Sequence, residues 1–274
     1  MLYPPRQPIS SSTPIITLLT DFGLEDVYVG IMKGVITGIH PQAHIIDLTH
    51  QVPPHNIAFG SFQLGNAYQH FPPGTIHVAV VDPGVGSHRR AIAIQMPSSI
   101  LIGPDNGLFS HVLMYDDAIA VVELTNSQYW YSKQPSNTFH GRDIFAPAAA
   151  YVAQGLSLQA LGPTLSVSSL ATLPNLYAWE PTHNGGTGNI QAIDYFGNII
   201  TNIPASEIQN SSWSLQIGQH RIHNATSYTT AADHPTLKAL IGSHGWLEIA
   251  LPKGSAHQIL NSKVGDRVQL HLNQ

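Results

Sequence analysis

The first regular signal along the chain is an apolar run at residues 15–19, interrupted only by Thr17 and stopped by Thr20-Asp21-Phe22-Gly23. A run that is apolar on both faces predicts a buried parallel strand. Over residues 26–40 the spacing becomes helical, with Val29, Met32, Lys33, Ile36 and Ile39 marking the faces and Pro41 as the stop. Residues 44–48 predict a second strand and 56–69 a second helix. The strongest strand is 75–81, Thr-Ile-His-Val-Ala-Val-Val, which runs into Asp82-Pro83-Gly84-Val85-Gly86. Residues 91–95 and 100–102 predict shorter strands, and 143–154 an Ala-rich helix ended by Gly155. Strands alternating with helices imply an α/β N-terminal domain with a mostly parallel central sheet.

The pattern changes after Leu161. Short strands are predicted at 188–195, 199–203, 213–217, 246–250 and 267–272, separated by turns such as Phe196-Gly197-Asn198 and Val264-Gly265-Asp266. They imply a C-terminal antiparallel β-barrel domain. The expected organisation is a flexible arm at 1–14, the α/β domain at 15–162, a Ser-, Thr- and Pro-rich linker at 163–181, and the barrel at 182–274. No internal repeat is visible.

Composition narrows the function. Charged residues make up 10% of the 274, against about 25% in an ordinary soluble domain. Eleven basic and 16 acidic residues give a net charge of −5, which argues against a nucleic-acid or anionic-membrane surface. So few charges point to surface buried in an oligomer. There is no cysteine, so disulfides, thiolate catalysis, iron–sulfur clusters and Cys-type zinc sites are excluded. No run approaches the roughly 20 apolar residues that span a bilayer. The Pro- and Ser-rich start lacks an apolar stretch fit for a signal peptide, and a cytoplasmic protein is expected. The 16 histidines scatter without ligand spacing and no His-Glu-x-x-His occurs, so no metal is expected. Nucleotide-binding glycine loops and a Gly-x-Ser-x-Gly elbow are also missing.

Ligands of open α/β sheets bind outside the carboxyl ends of the strands. Asp21, Asp82 with Arg89 and Arg90 beyond it, and Phe139-His140-Gly141-Arg142-Asp143 all fall in such places. Each has a plain structural reading too. Asp21 and Asp82-Pro83-Gly84 could be turn formers, His140 a surface histidine, and Arg142-Asp143 a local ion pair at a helix start.

Taken together the motifs are specific. Leu19-Thr20-Asp21-Phe22-Gly23, Tyr28-Val29-Gly30 through Lys33-Gly34, Asp47-Leu48-Thr49-His50, Val80-Val81-Asp82-Pro83-Gly84-Val85-Gly86, Gly103-Pro104-Asp105-Asn106-Gly107 and Phe139-His140-Gly141-Arg142-Asp143 occur in one order. The chain resembles the S-adenosyl-L-methionine hydroxide adenosyltransferases, hydrolase relatives of the fluorinases and chlorinases, over residues 15–272. The resemblance implies an α/β domain followed by a barrel. It also implies a homotrimer whose three sites lie between the N-terminal domain of one subunit and the C-terminal domain of the next.

The implied reaction is displacement of methionine from C5′ of S-adenosyl-L-methionine by water or hydroxide, giving adenosine and L-methionine, with no cofactor. The family's catalytic acid, arginine and histidine fall on Asp82, Arg89 and His140. Arg89 is preferred to Arg90 because it sits seven residues after Asp82. Asp21 would take the ribose hydroxyls. Asp26 would meet the methionine ammonium together with Asp194, and Ser243 would hold the carboxylate. Phe196 and Tyr228 would pack on adenine and Asn198 would bond its edge; plainer readings make the two rings barrel core and Asn198 a turn residue. His55 and His244 stand where the halogenating relatives carry tryptophan and arginine.

The sulfonium leaves as a neutral thioether and needs no acid, so the demand is on the nucleophile. His140 as proton relay and Asp82 as the group holding water is the preferred division. Cancelling charge between hydroxide and sulfonium favours a dry pocket. The halogenating relatives have uncharged side chains at the Asp82 position. A carboxylate about 4 Å from a halide costs roughly 4 kcal/mol at an effective dielectric of 20. Hydrolysis is therefore expected rather than halogenation, with a non-catalytic nucleoside-binding protein and a weak halogenase as the alternatives.

Overall fold

A computed structural model describes residues 13–173, 178–208, 212–228 and 236–272. The chain divides into two compact units that meet in sequence at Thr172 and Leu173. Most of the predicted arm, residues 1–12, lies outside the described residues.

The first unit is built on a seven-stranded sheet: β1 (Ile15–Thr20), β2 (His44–Thr49), β3 (Thr75–Val80), β4 (Ala91–Gln95), β5 (Ser99–Pro104), β6 (Ala120–Glu123) and β7 (Thr164–Leu165), in the order β2-β1-β3-β5-β4-β6-β7. The half from β2 to β5 is parallel and the half from β5 to β7 antiparallel. The segment 75–80 becomes the inner strand β3, buried at every position, Thr75 and His77 included. Its helices are α1 (Tyr28–Ile39), α2 (Ile57–Tyr68), α3 (Ser110–Leu113) and α4 (Ala146–Ala153). Met32 and Ile36 of α1 and Ala148–Ala150 of α4 join one core on the sheet, while Leu64 and Tyr68 of α2 and Val112 of α3 join another. Helices on both faces explain why the inner strands carry no polar alternation.

Two features depart from the local sequence pattern. The helix expected from Asp143 opens instead with a π-turn at Gly141–Phe145 before α4 begins. The front of the Pro- and Ser-rich stretch after Leu161 also packs on the sheet. Pro163 O accepts from Glu123 N at 2.9 Å, and Leu165 pairs with Val121.

The ladders between the named strands of the second unit are all antiparallel: β8 (Glu180–Thr182), β9 (Gly185–Ile193), β10 (Ile199–Pro204), β11 (Trp213–Ile217), β12 (His220–His223), β13 (Lys238–Ile241), β14 (Trp246–Ala250) and β15 (Arg267–Leu272), with α5 (Ala256–Leu260) beside them. The order is β12-β11-β15-β9-β10-β14-β13, with β8 added on β9. An isolated parallel bridge between Asn224 and Ala239 joins the two ends of that series and nearly closes a barrel. Its interior is apolar, including Ile190, Ile199, Trp213, Leu215, Leu247 and Val268.

Candidate active site

Asp82 follows β3 and Asp21 follows β1, so two carboxylates sit at the carboxyl ends of adjacent parallel strands. The end of β3 is pinned by Asn106, whose Nδ2 donates to Val81 O at 2.9 Å. The chain then turns sharply. Val85 N donates to Asp82 O at 3.2 Å, and Ser87 N to Gly84 O at 3.1 Å. Gly86 has φ of +76°, and a Cβ there would collide with the carbonyl of Asn137. Glycine is thus required both for the turn and for the approach of the 137–140 loop.

That turn returns Arg89 onto Asp82. Arg89 Nε lies 2.9 Å from each carboxylate oxygen, and Nη2 donates to Oδ2. The pair is desolvated, with side-chain exposures of 10% and 5%. The guanidinium also rests over the Phe145 ring, 5.4 Å from its centroid. Arg89 Nη2 continues to His140 Nδ1 at 2.7 Å. A guanidinium has only hydrogens to offer, so Nδ1 is the acceptor and neutral His140 carries its proton on Nε2. Burial, followed by the charge of Arg89, holds the His140 pKa below the ordinary histidine value, keeping the ring neutral. Asp82, Arg89 and His140 therefore form one connected chain. Arg90 points elsewhere, pairing with Asp105 and donating to Ser169 Oγ at 3.0 Å. Of the two adjacent arginines, only Arg89 joins Asp82 to His140.

Asp21 Oδ2 accepts from His55 N at 2.8 Å. His55 holds φ of +65°, an uncommon conformation outside glycine that costs of order 1 kcal/mol or more. Asp26 is exposed, in a stretch where Leu24, Val27 and Tyr28 are exposed as well. Arg142 forms the local ion pair with Asp143 that its position invites, 2.6 Å from Nε to Oδ1.

In the second unit, Asp194 Oδ1 accepts from the N–H groups of Phe196 and Asn198 at 2.9 and 2.8 Å, and Asn198 Nδ2 donates to Oδ2 at 2.8 Å. The Asp194 and Asn198 side chains thus order the β9–β10 turn together. Phe196 and Tyr228 are 73% and 50% exposed, which removes the barrel-core reading for both rings. Ser243 is exposed on the β13–β14 turn. Tyr228 Oη donates to Glu248, which lies within β14 and is nearly inaccessible. His244 Nε2 lies 3.2 Å from the other Glu248 oxygen. Burial and the carboxylate beside it push the Tyr228 hydroxyl pKa up. Burial would also raise the Glu248 pKa, but bonds from His244 and Tyr228 outweigh it and the pKa is lowered. Glu248 was not among the expected site residues. Its signal is a lone charge in the apolar run Trp-Leu-Glu-Ile-Ala. Among the described residues, no group of three or more His, Cys, Asp or Glu is placed to hold a metal ion, and no helix is long and apolar enough to cross a membrane.

A carboxylate, a guanidinium and a neutral imidazole joined at the ends of parallel strands, followed by a barrel presenting exposed aromatic rings, define an enzyme that acts on a small molecule. Residues 16–162 match the SAM hydroxide adenosyltransferase N-terminal domain and 188–269 the C-terminal domain. The chain belongs to the SAM hydroxide adenosyltransferase family. It is 36% identical over 261 residues to the (R)-S-adenosyl-L-methionine hydrolase of Salinispora arenicola, covering 95% of this chain and 98% of that one. A fluorinase from an Actinoplanes strain is more distant, 26% identical over 76% of this chain and 77% of its own. The crystal structure of an uncharacterized conserved protein from Thermotoga maritima superposes with a TM-score of 0.86 at 36% identity, covering 93% of this chain and 99% of that one.

Proposed function

We infer that this protein hydrolyses S-adenosyl-L-methionine to adenosine and L-methionine by in-line attack of water at C5′, with Asp82, Arg89 and His140 as the catalytic groups. The observation that carries this reading is the unbroken Asp82–Arg89–His140 chain. The direction of its hydrogen bonds reassigns the roles expected from the residue types alone. Nδ1 of His140 is taken by Arg89, and Nε2 already bears a proton, so His140 orients the attacking water as a donor. Asp82 keeps a lone pair on Oδ1 beyond its bond from Arg89, and it accepts the water proton as the C5′–O bond forms and the C5′–S bond breaks. The thioether leaves neutral, and the proton passes from Asp82 to solvent. Arg89 fixes the carboxylate and the imidazole relative to each other, which is how pre-organisation lowers the barrier.

Asp21 takes the ribose hydroxyls, and Asp26 with Asp194 the ammonium of the methionine moiety. Ser243 takes its carboxylate. Phe196 and Tyr228 sandwich adenine while Asn198 bonds its edge. The substrate is a small molecule, with neither metal nor other cofactor required and no nucleic acid or membrane as partner. The protein is cytoplasmic and assembles as a homotrimer, each site drawing its α/β half and its barrel half from neighbouring subunits. The exposed rings and the low charge support the trimer, and light scattering of the purified protein tests it.

The decisive assay is incubation with each sulfonium epimer in the presence of a chelator, followed by chromatography. Equimolar adenosine and methionine, formed from the (R) epimer for which the curated relatives are named, is the expected result. Unchanged substrate with binding still detectable by calorimetry would leave a binding protein. Product only after a divalent metal is restored would overturn the metal-free mechanism.

A further inference from the structure

The Asp47-Leu48-Thr49-His50 motif takes no part in the mechanism above, yet it ends in a histidine with almost no exposed surface. His50 Nδ1 lies 2.9 Å from Thr20 Oγ1, and Nε2 lies 3.0 Å from Asp47 Oδ1. Asp47 Oδ2 in turn accepts from Lys33 Nζ of α1 at 2.6 Å. Thr20 Oγ1 also accepts from Phe22 N at 3.2 Å. The carboxylate oxygen 3.0 Å from Nε2 places the ring proton there, so Nδ1 is left to accept from the Thr20 hydroxyl. Burial raises the Asp47 pKa, but Lys33 and His50 outweigh it and the pKa falls below the usual carboxylate value, which keeps the far end of the chain ionised.

The near end of that chain carries the turn that presents Asp21. Phe22 N is held by the Thr20 hydroxyl, and Gly23 N donates to His50 O at 2.8 Å. Gly23 has φ of +69°, a conformation that side-chain-bearing residues rarely adopt. The Asp21-Phe22-Gly23 turn thus hangs from His50 at two points, by side chain through Thr20 and by main chain directly. From the other side the N–H of His55 fixes Oδ2 of Asp21. Thr20 is itself fully buried, which rules out a nucleophilic use of this Thr–His–Asp arrangement and leaves support of the turn as its function.

We propose that His50 is a positioning residue for ribose recognition: through Thr20 and its own carbonyl, with Asp47 and Lys33 fixing its tautomer, it sets the orientation of the Asp21 carboxylate. The proposal rests on the reading of Asp21 as the ribose ligand. Its test compares kcat/KM for S-adenosyl-L-methionine and for the 2′-deoxyribose analogue. Hydrogen bonds to a carboxylate make the ratio of the two about tenfold or more in the wild-type protein, and Asp21→Asn lowers it. His50→Gln keeps a donor toward Asp47 but loses the Thr20 partner, and Thr20→Val removes the hydroxyl at nearly constant volume. Both are expected to lower the ratio several-fold through KM, with kcat within about threefold of wild type, and Thr20→Ser restores it.

A purely structural histidine would lower melting temperature and active fraction equally for both substrates, leaving the ratio intact. That result, in a folded His50→Gln or Thr20→Val protein, overturns the proposal. A wild-type ratio near one overturns the Asp21 reading and the proposal with it, whereas a normal wild-type ratio that falls in Asp21→Asn but not in the His50 and Thr20 variants defeats the proposal alone.

Discussion

Replacing Arg89 by methionine tests how much of the buried cluster serves the fold and how much the chemistry. The change removes the guanidinium's bonds to both Asp82 oxygens and to His140, and leaves a carboxylate that is 5% exposed without its partner. Breaking a buried pair from one side costs about 3–5 kcal/mol, because the remaining charge stays desolvated. Against the 5–15 kcal/mol that holds a typical domain together, the variant remains folded but is easily melted. The double variant Asp82→Asn/Arg89→Met removes the stranded charge and is expected to recover at least half of the loss. Urea denaturation of the variants at matched subunit concentration measures this. Turnover behaves differently and stays at background in both variants: the single variant has lost the group that fixes Asp82 and His140 relative to each other, and the double variant has lost the proton acceptor as well. A loss below about 1 kcal/mol in Arg89→Met would show that solvent screens the pair. A double variant no more stable than the single one would refute the stranded-charge argument. Recovered turnover in the double variant would remove the pair from the mechanism.

Other consequences follow from single positions. His77 is fully buried on β3, 2.8 Å from Thr17 Oγ1, and burial pushes its pKa down to about 4. The unfolded chain, at about 6.5, therefore takes up the proton first. The contribution of His77 is complete above pH 6.5 and is lost as pH falls toward 4, about 3 kcal/mol in all; the stability difference between pH 7 and 4.5 should shrink in His77→Gln, and equal differences would contradict it. Activity needs His140 neutral, and its pKa lies below the ordinary value, so the acid limb of kcat/KM falls below pH 6.5; a limb above that is incompatible with the Arg89 bond. Gly86→Ala forces a side chain into a left-handed conformation against the Asn137 carbonyl and should cost about 2 kcal/mol with a fall in kcat, read by thermal melts and turnover; an unaltered melting temperature would show that the two loops do not need their close approach.

The α/β half was legible because its inner strands are short runs dominated by aliphatic residues, which β1 and β3 answer almost residue for residue. What escaped detection was short or polar. β6 is four residues and β7 two, too brief for any period. In His220-Arg221-Ile222-His223 only Ile222 is buried, so β12 exists by pairing with β11 rather than by its own pattern. The π-turn at Gly141–Phe145 is a tertiary outcome. Asp143 is drawn to Ser136 N at 2.7 Å and to Arg142, and neither contact is written in helical periodicity. Residue types placed Asp82, Arg89 and His140 on one rim, but could not give the direction of their hydrogen bonds. That direction depends on Arg89 lying between the other two.

The same ion pair alters the electrostatic case against halide. An isolated carboxylate about 4 Å from a halide would cost roughly 4 kcal/mol at an effective dielectric of 20, but a guanidinium about 6 Å away returns roughly 3 of that. The net penalty is near 1 kcal/mol, about a factor of five in occupancy, so charge alone does not separate water from halide here. Proton transfer does: water must lose a proton and uses Asp82, whereas a halide attacks without one. Asp82→Asn then has a calculable consequence. It removes the acceptor that water requires and leaves the Arg89 charge without a counter-ion, which shifts halide binding by about 4 kcal/mol in its favour, or roughly a thousandfold. In molar chloride this variant is expected to lose adenosine formation and to release a 5′-chlorinated nucleoside, identified by chromatography and mass. If Asp82→Asn instead retains hydrolysis and gives no chloride-dependent product, Asp82 is neither the proton acceptor nor the group whose charge governs the nucleophile.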